Sequence, residues 1–386
     1  MLVPNAGHRA WFRRRLLAWF PIHQRPLPWR QNRDPYAIWV SEVMLQQTQV
    51  VTVVPYFQRF LKSFPTLKAL ARASERRVLR HWEGLGYYRR ARDLYRAARI
   101  LLAEHDGRLP RDPAVLGRLP GFGRYTVGAV LSQAFDCRLP IVEANSRRVL
   151  CRWFGLRQDP RSSPFQKKVW QLAEELLPEK RVGEFNQALM ELGALVCTPL
   201  APRCGSCPLA RHCQARLLGL QQRIPAPPPA VAIQQVREVA VVVYRGRKVL
   251  LVQRPATGRW ASMWEFPHGP VEKRQSAARV GQRLLADGTG IKAVPGKAIL
   301  TLRHSITRFR ITLLCLEASY QSGTFRSQVY QRGKWVGVDE LGKYPVSAPQ
   351  RCLARALAEL ASQINNHSPA QAAATRLAPA NCSQRR

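Results

Sequence analysis

Apolar residues recur every three or four positions along the first half of the chain, as on the buried face of a helix. The stretch 11–28 predicts an opening helix and a Pro-rich turn that ends in LPWR. Asp34-Pro35 predicts the start of the next helix, because Asp favours the N-cap and Pro the first helical position. The same spacing predicts further helices at about 52–62, 66–72, 75–82, 89–104, 165–177 and 184–196. This part of the chain is therefore predicted to be mainly α-helical.

After a Pro-rich stretch, 214–235, the pattern changes to short apolar runs that are typical of strands, beginning with VAVVVY and VLLVQR. Further elements are predicted as strands at about 297–303, 309–317 and 334–338, and as helices near 275–287 and 348–363. We therefore expect a separate α+β domain over 236–363, joined by a linker over 214–235. The end of the chain, 364–386, has few large apolar residues and is expected to be disordered.

One stretch of the helical region, LPGFGRYTVGAV, predicts a tight turn that leads into a helix. Gly121 and Gly123 would leave backbone N–H groups pointing outward, and the start of a helix adds the positive end of its dipole. Such a turn suits one DNA phosphate, although an ordinary helical hairpin has the same pattern. Glu143 follows on a predicted loop with Asn145 and Arg147, and this combination favours nucleic-acid chemistry.

The net charge supports a polyanionic partner. The 386 residues carry 61 Lys and Arg against 24 Asp and Glu, a formal net charge of +37. Nucleic acid is the leading candidate, but charge alone does not separate DNA from RNA or anionic lipid. No apolar stretch reaches membrane-spanning length, so no membrane partner is expected.

Cysteine usage predicts one metal centre in a reducing compartment. Of nine cysteines, four cluster with gaps of six, two and five residues: Cys197, Cys204, Cys207 and Cys213. Four thiolates at such spacing ligate either zinc or an iron–sulfur cluster. Zinc sites usually show two C-x2-C pairs or histidine ligands, so this spacing favours a [4Fe–4S] cluster.

Two further positions have competing interpretations. Glu42 lies inside an apolar helical segment, where a solvated helix face is the common outcome; if buried, its pKa would be raised and it would hold a proton near neutral pH. In EGLGYYRRAR, Tyr87 and Tyr88 follow two glycines and precede arginines, which suits stacking on a base and holding a phosphate. A tyrosine pair in the core is the alternative, which is favoured for Tyr88.

Several motifs together identify a family. They are LPWR, SEVMLQQTQV, GLGYYRRARDL, LPGFGRYTVGAV, FNQALMELGALVC and the cysteine spacing. Over about 10–345 the chain resembles MutY-type adenine DNA glycosylases, in the helix–hairpin–helix superfamily that includes endonuclease III. The resemblance implies a helix–hairpin–helix glycosylase domain over 1–213 with a [4Fe–4S] cluster loop at 197–213. It also implies a monomer that excises adenine paired with 8-oxoguanine or guanine in double-stranded DNA, in the bacterial cytoplasm at the nucleoid or in the eukaryotic nucleus.

The resemblance also implies catalytic roles. Adenine leaves poorly unless it is protonated, so an acid must protonate the ring and a carboxylate must face the sugar. Glu42 matches the family's acid, which protonates N7. Glu143 stands where the family has Asp, in VEAN instead of a VDGN-like loop, and would stabilise the oxocarbenium ion or bond transiently to C1′, oriented by Asn145. Tyr125 replaces the Lys of bifunctional relatives, so the enzyme is expected to be a monofunctional glycosylase.

Contacts with DNA are implied in the same way. Arg30 and Gln187 match residues that contact the flipped adenine. Three residues match positions that fill or flank the gap near 8-oxoguanine: Gln47, Thr48 and Tyr87. Leu45 is a further candidate for that interface, and a role in the core is equally compatible with its position. A base must leave the stack to be reached, so a residue that fills the gap is required.

The C-terminal domain fits the frame of a Nudix box that starts at Gly269. The glutamates expected along that frame are instead Gln275, Leu284 and Gly288, so hydrolysis that depends on Mg²⁺ is expected to be lost. The resemblance implies that this domain senses 8-oxoguanine. The family's Phe-Ser-His loop aligns with Ile306-Thr307-Arg308, where Thr307 retains the hydroxyl donor.

Two alternative functions remain open at this point. An endonuclease III-like glycosylase and lyase is disfavoured by Tyr125 in place of Lys and by the appended Nudix-like domain. A catalytically weak protein that binds lesion DNA is supported only by the departure at Glu143.

Overall fold

The computed structural model describes residues 5–226, 232–258 and 260–366, and these form two compact units. The first unit contains the described residues up to Ala73 and those from 93 to 226. The second contains Ser74–Arg92 and the described residues from 232 onward. A short segment of the helical region is therefore grouped with the C-terminal part of the chain.

The first unit is helical, as predicted. Its helices are α1 (Ala6–His23), α2 (Pro35–Leu45), α3 (Val50–Ser63), α4 (Leu67–Arg72), most of α6 (Arg89–Glu104), α7 (Pro113–Gly117), α8 (Arg124–Phe135), α9 (Ala144–Phe154), α10 (Ser163–Leu176), α11 (Val182–Leu195) and α12 (Gln214–Leu217). Single turns of 3-10 helix lie at Pro28–Arg30, Cys204–Ser206 and Ala210–His212. The short helix α7 and the longer α9 were not among the predicted helices.

Helix α11 packs closely against both α8 and α9. Gly193 allows α11 to approach α9 closely, because a Cβ at this position would lie only 2.7 Å from the Cβ of Asn145 on α9. Apolar side chains of α1, α9, α10 and α11 form one core, with Phe12, Leu150 and Phe185 among its buried members. This packing fixes the start of α9, where Glu143 lies.

The second unit contains α5 (Glu75–Trp82) and a mixed sheet with two helices. The strands are β1 (Gln234–Arg245), β2 (Lys248–Gln253), β3 (Trp264–Glu265), β4 (His268–Pro270), β5 (Lys292–Ile306), β6 (Phe309–Ser322) and β7 (Arg332–Gly337), and the helices are α13 (Ala277–Thr289) and α14 (Ala348–Asn366). The main strand order is β3-β2-β1-β6-β5, and β1 runs parallel to β6. A 3-10 helix, Val338–Lys343, precedes α14. This is the α+β architecture that was predicted.

Strand β1 is apolar at successive positions because both faces of the sheet are covered. Side chains alternate along a strand, so Val239 and Val241 lie in one core with Val280 of α13. Ala240 lies in the other core, with Leu353 of α14. The continuous run VAVVVY is thus explained by burial on two sides.

The predicted linker and tail lie partly within the described residues. The first part of the linker forms α12 and joins the helical core, where Ala215 and Ile224 are buried. The first three residues of the predicted tail belong to α14, and the rest lie outside the described residues. Among the helices that the structure describes, none has the length and apolar character needed to cross a bilayer.

Candidate active site

Glu42 lies on α2, a helix that is buried along most of its length. Asp34 caps this helix by accepting a hydrogen bond from the backbone N–H of Tyr36, as the Asp-Pro pair predicted. Every residue from Tyr36 to Met44 is buried, and Glu42 is only 3% exposed. The solvated helix face is therefore excluded, and Glu42 is a carboxyl group in the protein interior.

Two side chains of α8 bind the Glu42 carboxyl group. Tyr125 Oη donates to Oε2 at 2.6 Å, and Gln133 Nε2 donates to Oε1 at 2.8 Å. Burial raises the pKa of Glu42, the two hydrogen bonds lower it in part, and the negative charge of Glu143 raises it again. The net result is a raised pKa, so this carboxyl group is suited to hold a proton and donate it.

The Tyr125 hydroxyl that donates to Glu42 is kept in its neutral form. Burial raises the pKa of Tyr125 well above its ordinary value of 10, and the charges of Glu42 and Glu143 add to this effect. The hydroxyl also lies 3.4 Å from Met190 Sδ on α11. Tyr125 therefore presents a neutral phenol beside Glu42, with no amine at this position.

Glu143 has a different environment from that of Glu42. It is the N-cap residue of α9, and its Oε2 and Oε1 accept hydrogen bonds from the backbone N–H groups of Asn145 and Ser146, both at 2.7 Å. Ser146 Oγ in turn accepts from the backbone N–H of Glu143 at 2.8 Å, which completes a capping box. These donors and the helix dipole stabilise a negative carboxylate.

The expected loop around Glu143 is corrected by this geometry. Asn145 and Arg147 lie within the first turns of α9 and not on a loop, because the Glu143 carboxylate and Ser146 cap the helix here. Ala144 is the first helical residue, a conformation that any L-residue adopts, so a glycine is not needed. Glu143 forms this cap through both of its carboxylate oxygens.

Asn145 is held between a carboxylate and a guanidinium. Its Nδ2 donates to Glu143 Oε2 at 3.2 Å, and its Oδ1 accepts from Arg148 at 2.8 Å. Arg148 also donates to the carbonyl groups of Gly193 at 2.7 Å and Cys197 at 2.6 Å. The orientation of the Asn145 amide is therefore fixed, and it points its N–H towards Glu143.

A cavity of about 240 Å³ lies next to the Glu42 cluster. Its lining includes both residues that were predicted to contact adenine, Arg30 and Gln187, and also Gln133, the partner of Glu42. Trp29 and Ile38 contribute apolar walls. The cavity combines apolar walls with a few hydrogen-bonding groups, as is typical of a ligand-binding site.

Arg30 is held at this cavity by Glu191. Arg30 Nη2 donates to Glu191 Oε2 at 2.9 Å, and Arg25 donates to both Glu191 oxygens at 2.8 and 2.9 Å. Burial raises the pKa of Glu191, but the hydrogen bonds from Arg25 and Arg30 outweigh burial and bring the pKa to about 2. Glu191 was missed in the sequence, although it lies one helical turn after Gln187 in an apolar helix.

The turn of LPGFGRYTVGAV is formed as predicted, between α7 and α8. Gly121 has a φ of +80°, which favours glycine, and Gly123 is the N-cap of α8. Between them Phe122 is buried and stacks on Trp39, with ring centroids 5.0 Å apart. The buried Phe122 side chain therefore anchors the turn, and the two glycines are exposed.

The segment after α2 carries the other predicted DNA contacts of the first unit. Leu45 is half-buried, Gln47 is exposed with a φ of +56°, and Thr48 is half-buried. Gln46, which was not predicted, donates to Thr126 Oγ1 at 3.4 Å and so joins this segment to α8. Leu45 is therefore neither fully a core residue nor fully exposed.

In the second unit, Tyr87 and Thr307 both lie in turns. Tyr87 has a φ of +47° and is 50% exposed, whereas Tyr88 is 5% exposed, in agreement with the favoured interpretation of Tyr88 as a core residue. Thr307 lies in the turn between β5 and β6, and its hydroxyl donates to the carbonyl group of Ile306 at 2.7 Å. The hydroxyl is retained, but in this structure it is engaged locally.

The predicted cysteine ligands lie around one small cavity: Cys197, Cys204, Cys207 and Cys213. Arg152 of α9 donates to Cys197 Sγ at 3.3 Å. Within the described ranges, no three His, Cys, Asp or Glu side chains are placed to hold a single metal ion, and a zinc ion needs sulfurs about 2.3 Å from one point. Four thiols around one cavity, with a guanidinium beside one of them, are a donor set that could hold an anionic metal–sulfur centre.

Comparisons with known proteins agree on the family. The model of the HhH-GPD superfamily base excision DNA repair protein matches residues 40–175, and that of the NUDIX domain matches residues 238–356. The adenine DNA glycosylase of Rattus norvegicus is 34% identical over 403 residues, covering 90% of this chain and 78% of that protein. The human enzyme of the same name is 34% identical over 397 residues, covering 88% and 72% respectively.

A bacterial relative shows the same agreement over a shorter stretch. The adenine DNA glycosylase of Buchnera aphidicola subsp. Schizaphis graminum (strain Sg) is 40% identical over 205 residues, covering 53% of this chain and 59% of that protein. The long matches to the mammalian enzymes span both units. The chain therefore belongs to the adenine DNA glycosylase family.

Proposed function

We propose that this protein hydrolyses the N-glycosidic bond of adenine paired with 8-oxoguanine or guanine in double-stranded DNA, without cleaving the strand. The observation that carries the proposal is the buried Glu42 carboxyl group, 3% exposed and hydrogen-bonded to Tyr125 and Gln133. Its raised pKa favours the protonated form, which a general acid needs. The endonuclease III-like and binding-only alternatives are not favoured by the family membership.

The two carboxyl groups divide the chemistry because their surroundings differ. Glu42 gives its proton to N7 of an adenine that has been flipped out of the stack. The bond between C1′ and N9 then breaks, and its electron pair leaves with the base. Glu143, whose oxygens accept from the amides at the start of α9, faces the positive charge that develops on the sugar. Water then adds to C1′ and gives up one proton to solvent, which leaves an abasic site.

Tyr125 and Asn145 support these two groups. The phenol of Tyr125 donates to Glu42, and the absence of an amine at this position means that no Schiff base forms with C1′. The Asn145 amide donates to Glu143 and is itself fixed by Arg148. Each carboxyl group thus has a neutral partner that holds its orientation.

The cavity beside Glu42 is proposed to receive the flipped adenine. Arg30 and Gln187 supply hydrogen bonds to its edge, and Trp29 packs beside its plane. The ion pair with Glu191 fixes Arg30 before the base arrives, so less side-chain entropy is lost on binding.

DNA is proposed to be held outside this pocket by the remaining predicted residues. The amides around Gly121 and Gly123 would bind a backbone phosphate. Leu45, Gln47 and Thr48 would lie at the gap left by the flipped base. Tyr87 and Thr307 would contact the opposite base. The high positive charge predicts binding that weakens steeply with salt.

The cysteine site is proposed to hold a [4Fe–4S] cluster through Cys197, Cys204, Cys207 and Cys213. When bound, the cluster supplies structural cross-linking of the loop and takes no part in hydrolysis. The chain's own Arg152 and Arg148 tie this loop to α9 through the Cys197 sulfur and carbonyl. The same helix carries the Glu143 cap, so an ordered loop supports the catalytic carboxylate.

A single-turnover reaction on a duplex with one A:8-oxoguanine pair tests the proposal. The parent protein and Glu143→Asp are expected to release adenine, and Glu42→Gln is expected to lose this activity. If the parent and Glu143→Asp both shift the DNA on a gel but neither releases adenine, the binding-only alternative is established. Covalent trapping of DNA by borohydride would instead establish a lyase.

A further inference from the structure

The loop that carries Tyr87 is anchored by a buried ion pair. Glu83 accepts hydrogen bonds from Arg351 Nε at 2.5 Å and Nη2 at 2.9 Å, and the two side chains are only 6% and 10% exposed. Both residues belong to the second unit, although 268 positions separate them in the sequence. A bidentate guanidinium–carboxylate pair in this environment is both strong and directional.

Arg351 is itself fixed on its other side. Its Nη1 donates to the carbonyl group of Leu341 at 2.9 Å, and its Nη2 donates to that of Tyr344 at 2.5 Å. These carbonyl groups lie at the end of the 3-10 helix and in the turn before α14. Glu83 is therefore attached to a preorganised cation and not to a mobile side chain.

The loop is held after Tyr87 as well as before it. Tyr88 Oη donates to the carbonyl group of Val346 at 3.5 Å, and Arg92 donates to that of Ala256 at 3.0 Å. Gly86, just before Tyr87, has its carbonyl group bound by Trp82 Nε1 at 3.1 Å. Tyr87 is half exposed. The loop that carries it is bound on both sides of Tyr87 by residues of the C-terminal domain.

We propose that Glu83 and Arg351 form a positioning pair that fixes the Tyr87 loop to the unit that carries Thr307, and that this pair determines how strongly excision depends on the base opposite adenine. The inference rests on the proposed function, in which Tyr87 and Thr307 contact the base opposite adenine. Because the pair touches neither Glu42 nor Glu143, it acts on recognition and leaves the chemical step unchanged. A loosened loop would let Tyr87 adapt equally to 8-oxoguanine and guanine.

Glu83→Ala tests this pair in the full-length protein loaded with its cluster. The single-turnover rate constant at saturating enzyme should stay within about twofold of the parent, whereas half-saturation for the A:8-oxoguanine duplex should require roughly tenfold more enzyme, the factor of about 1.4 kcal/mol. The A:G duplex should change less, so the preference between the two falls. Glu83→Asp, which keeps the charge, should restore part of the preference.

Glu340→Ala is the matched control, since its pair with Lys343 is exposed and lies in the same unit. It should leave the preference unchanged. An equal loss of rate on both duplexes in Glu83→Ala would show a merely structural role and overturn the proposal, as would an unchanged preference.

Amide hydrogen exchange of residues 84–88, measured without DNA, separates this inference from the proposed function. Exchange should quicken in Glu83→Ala and stay unchanged in Glu340→Ala. If the parent releases no adenine, the proposed function fails while the exchange still tests the anchor. Unchanged exchange in Glu83→Ala overturns the anchor whatever the activity.

Discussion

Two glutamates are buried in the helical unit, and their pKa values move in opposite directions. Glu42 has two neutral hydrogen-bond partners and another carboxylate nearby, so burial prevails and its pKa is raised. Glu191 is equally inaccessible, but Arg25 and Arg30 donate to it, and its pKa falls to about 2. Burial therefore does not determine the charge of a carboxyl group; its partners do.

The two glutamates also have different tasks beside the same cavity. Glu42 and Glu191 lie on different helices, α2 and α11, and each reaches the cavity through one partner, Gln133 and Arg30 respectively. The first pair keeps a proton that can be given away, and the second keeps a charge that can only hold another side chain in place. Exchanging the partners should therefore exchange the roles.

Glu42→Gln removes the proton donor and has the largest expected effect on activity. The single-turnover rate constant should fall by about 10²–10⁴-fold, the usual contribution of a general acid. Because Gln is neutral, like protonated Glu42, and has nearly the same volume, the thermal midpoint at neutral pH should not fall. Glu104→Gln, at an exposed position, is the control and should leave both quantities unchanged. A full rate in Glu42→Gln would assign the acid elsewhere.

Glu191→Gln tests the other side of the comparison. It leaves Arg25 and Arg30 without their negative partner, and removing one member of a buried pair costs about 3–5 kcal/mol in the free energy of unfolding. Denaturant unfolding measures this loss. Glu184→Gln, whose pair with Arg181 is more exposed, should lose less than about 1 kcal/mol. Equal losses would show that the burial of Glu191 contributes nothing special.

The two pKa shifts predict opposite responses to pH. Glu191 has a folded pKa of about 2, below the ordinary value of 4.5, so its contribution to stability is present above pH 4.5 and is lost as pH falls towards 2. Glu42 has a raised pKa, so its contribution is complete below 4.5 and is lost as pH rises through the folded value. Excision should fall over that same upper range.

Stability curves against pH for the parent and the two Gln variants measure both responses. Glu191→Gln should flatten the acid side, and Glu42→Gln should flatten the side above pH 4.5. A parent whose excision rate rises steadily with pH would contradict protonated Glu42 as the acid.

Residues whose role depends on local pattern could be predicted from the sequence, and those that depend on contacts between distant helices could not. The Asp34-Pro35 start of α2, the glycine turn before α8 and the strand formed by VAVVVY follow from spacing and cap chemistry. Whether Glu42 faces solvent is decided by α8, which supplies Tyr125 and Gln133 from another part of the chain.

The missed residues follow the same rule. Glu191, like Glu42, lies in an apolar helix. Only the folded structure shows that Glu191 forms an ion pair with Arg25. The attachment of Glu83 to Arg351 joins residues 268 positions apart. The start of α9 was missed because a Glu as N-cap, with Ser three residues later, reverses the usual order of the capping box.

Tyr125→Phe has the smallest expected effect and tests the balance at Glu42 directly. The hydrogen bond from Tyr125 lowers the pKa of Glu42, so its loss should raise that pKa further and move the upper limb of the pH–rate profile to higher pH. The maximal rate constant should fall by less than about tenfold, since one hydrogen bond contributes about 1 kcal/mol. Met190→Leu changes the other neighbour of the phenol without touching Glu42 and should leave the limb in place. If the limb of Tyr125→Phe moved to lower pH instead, the phenol would be favouring the protonated carboxyl group, and the partners of Glu42 would have to be assigned the opposite effect.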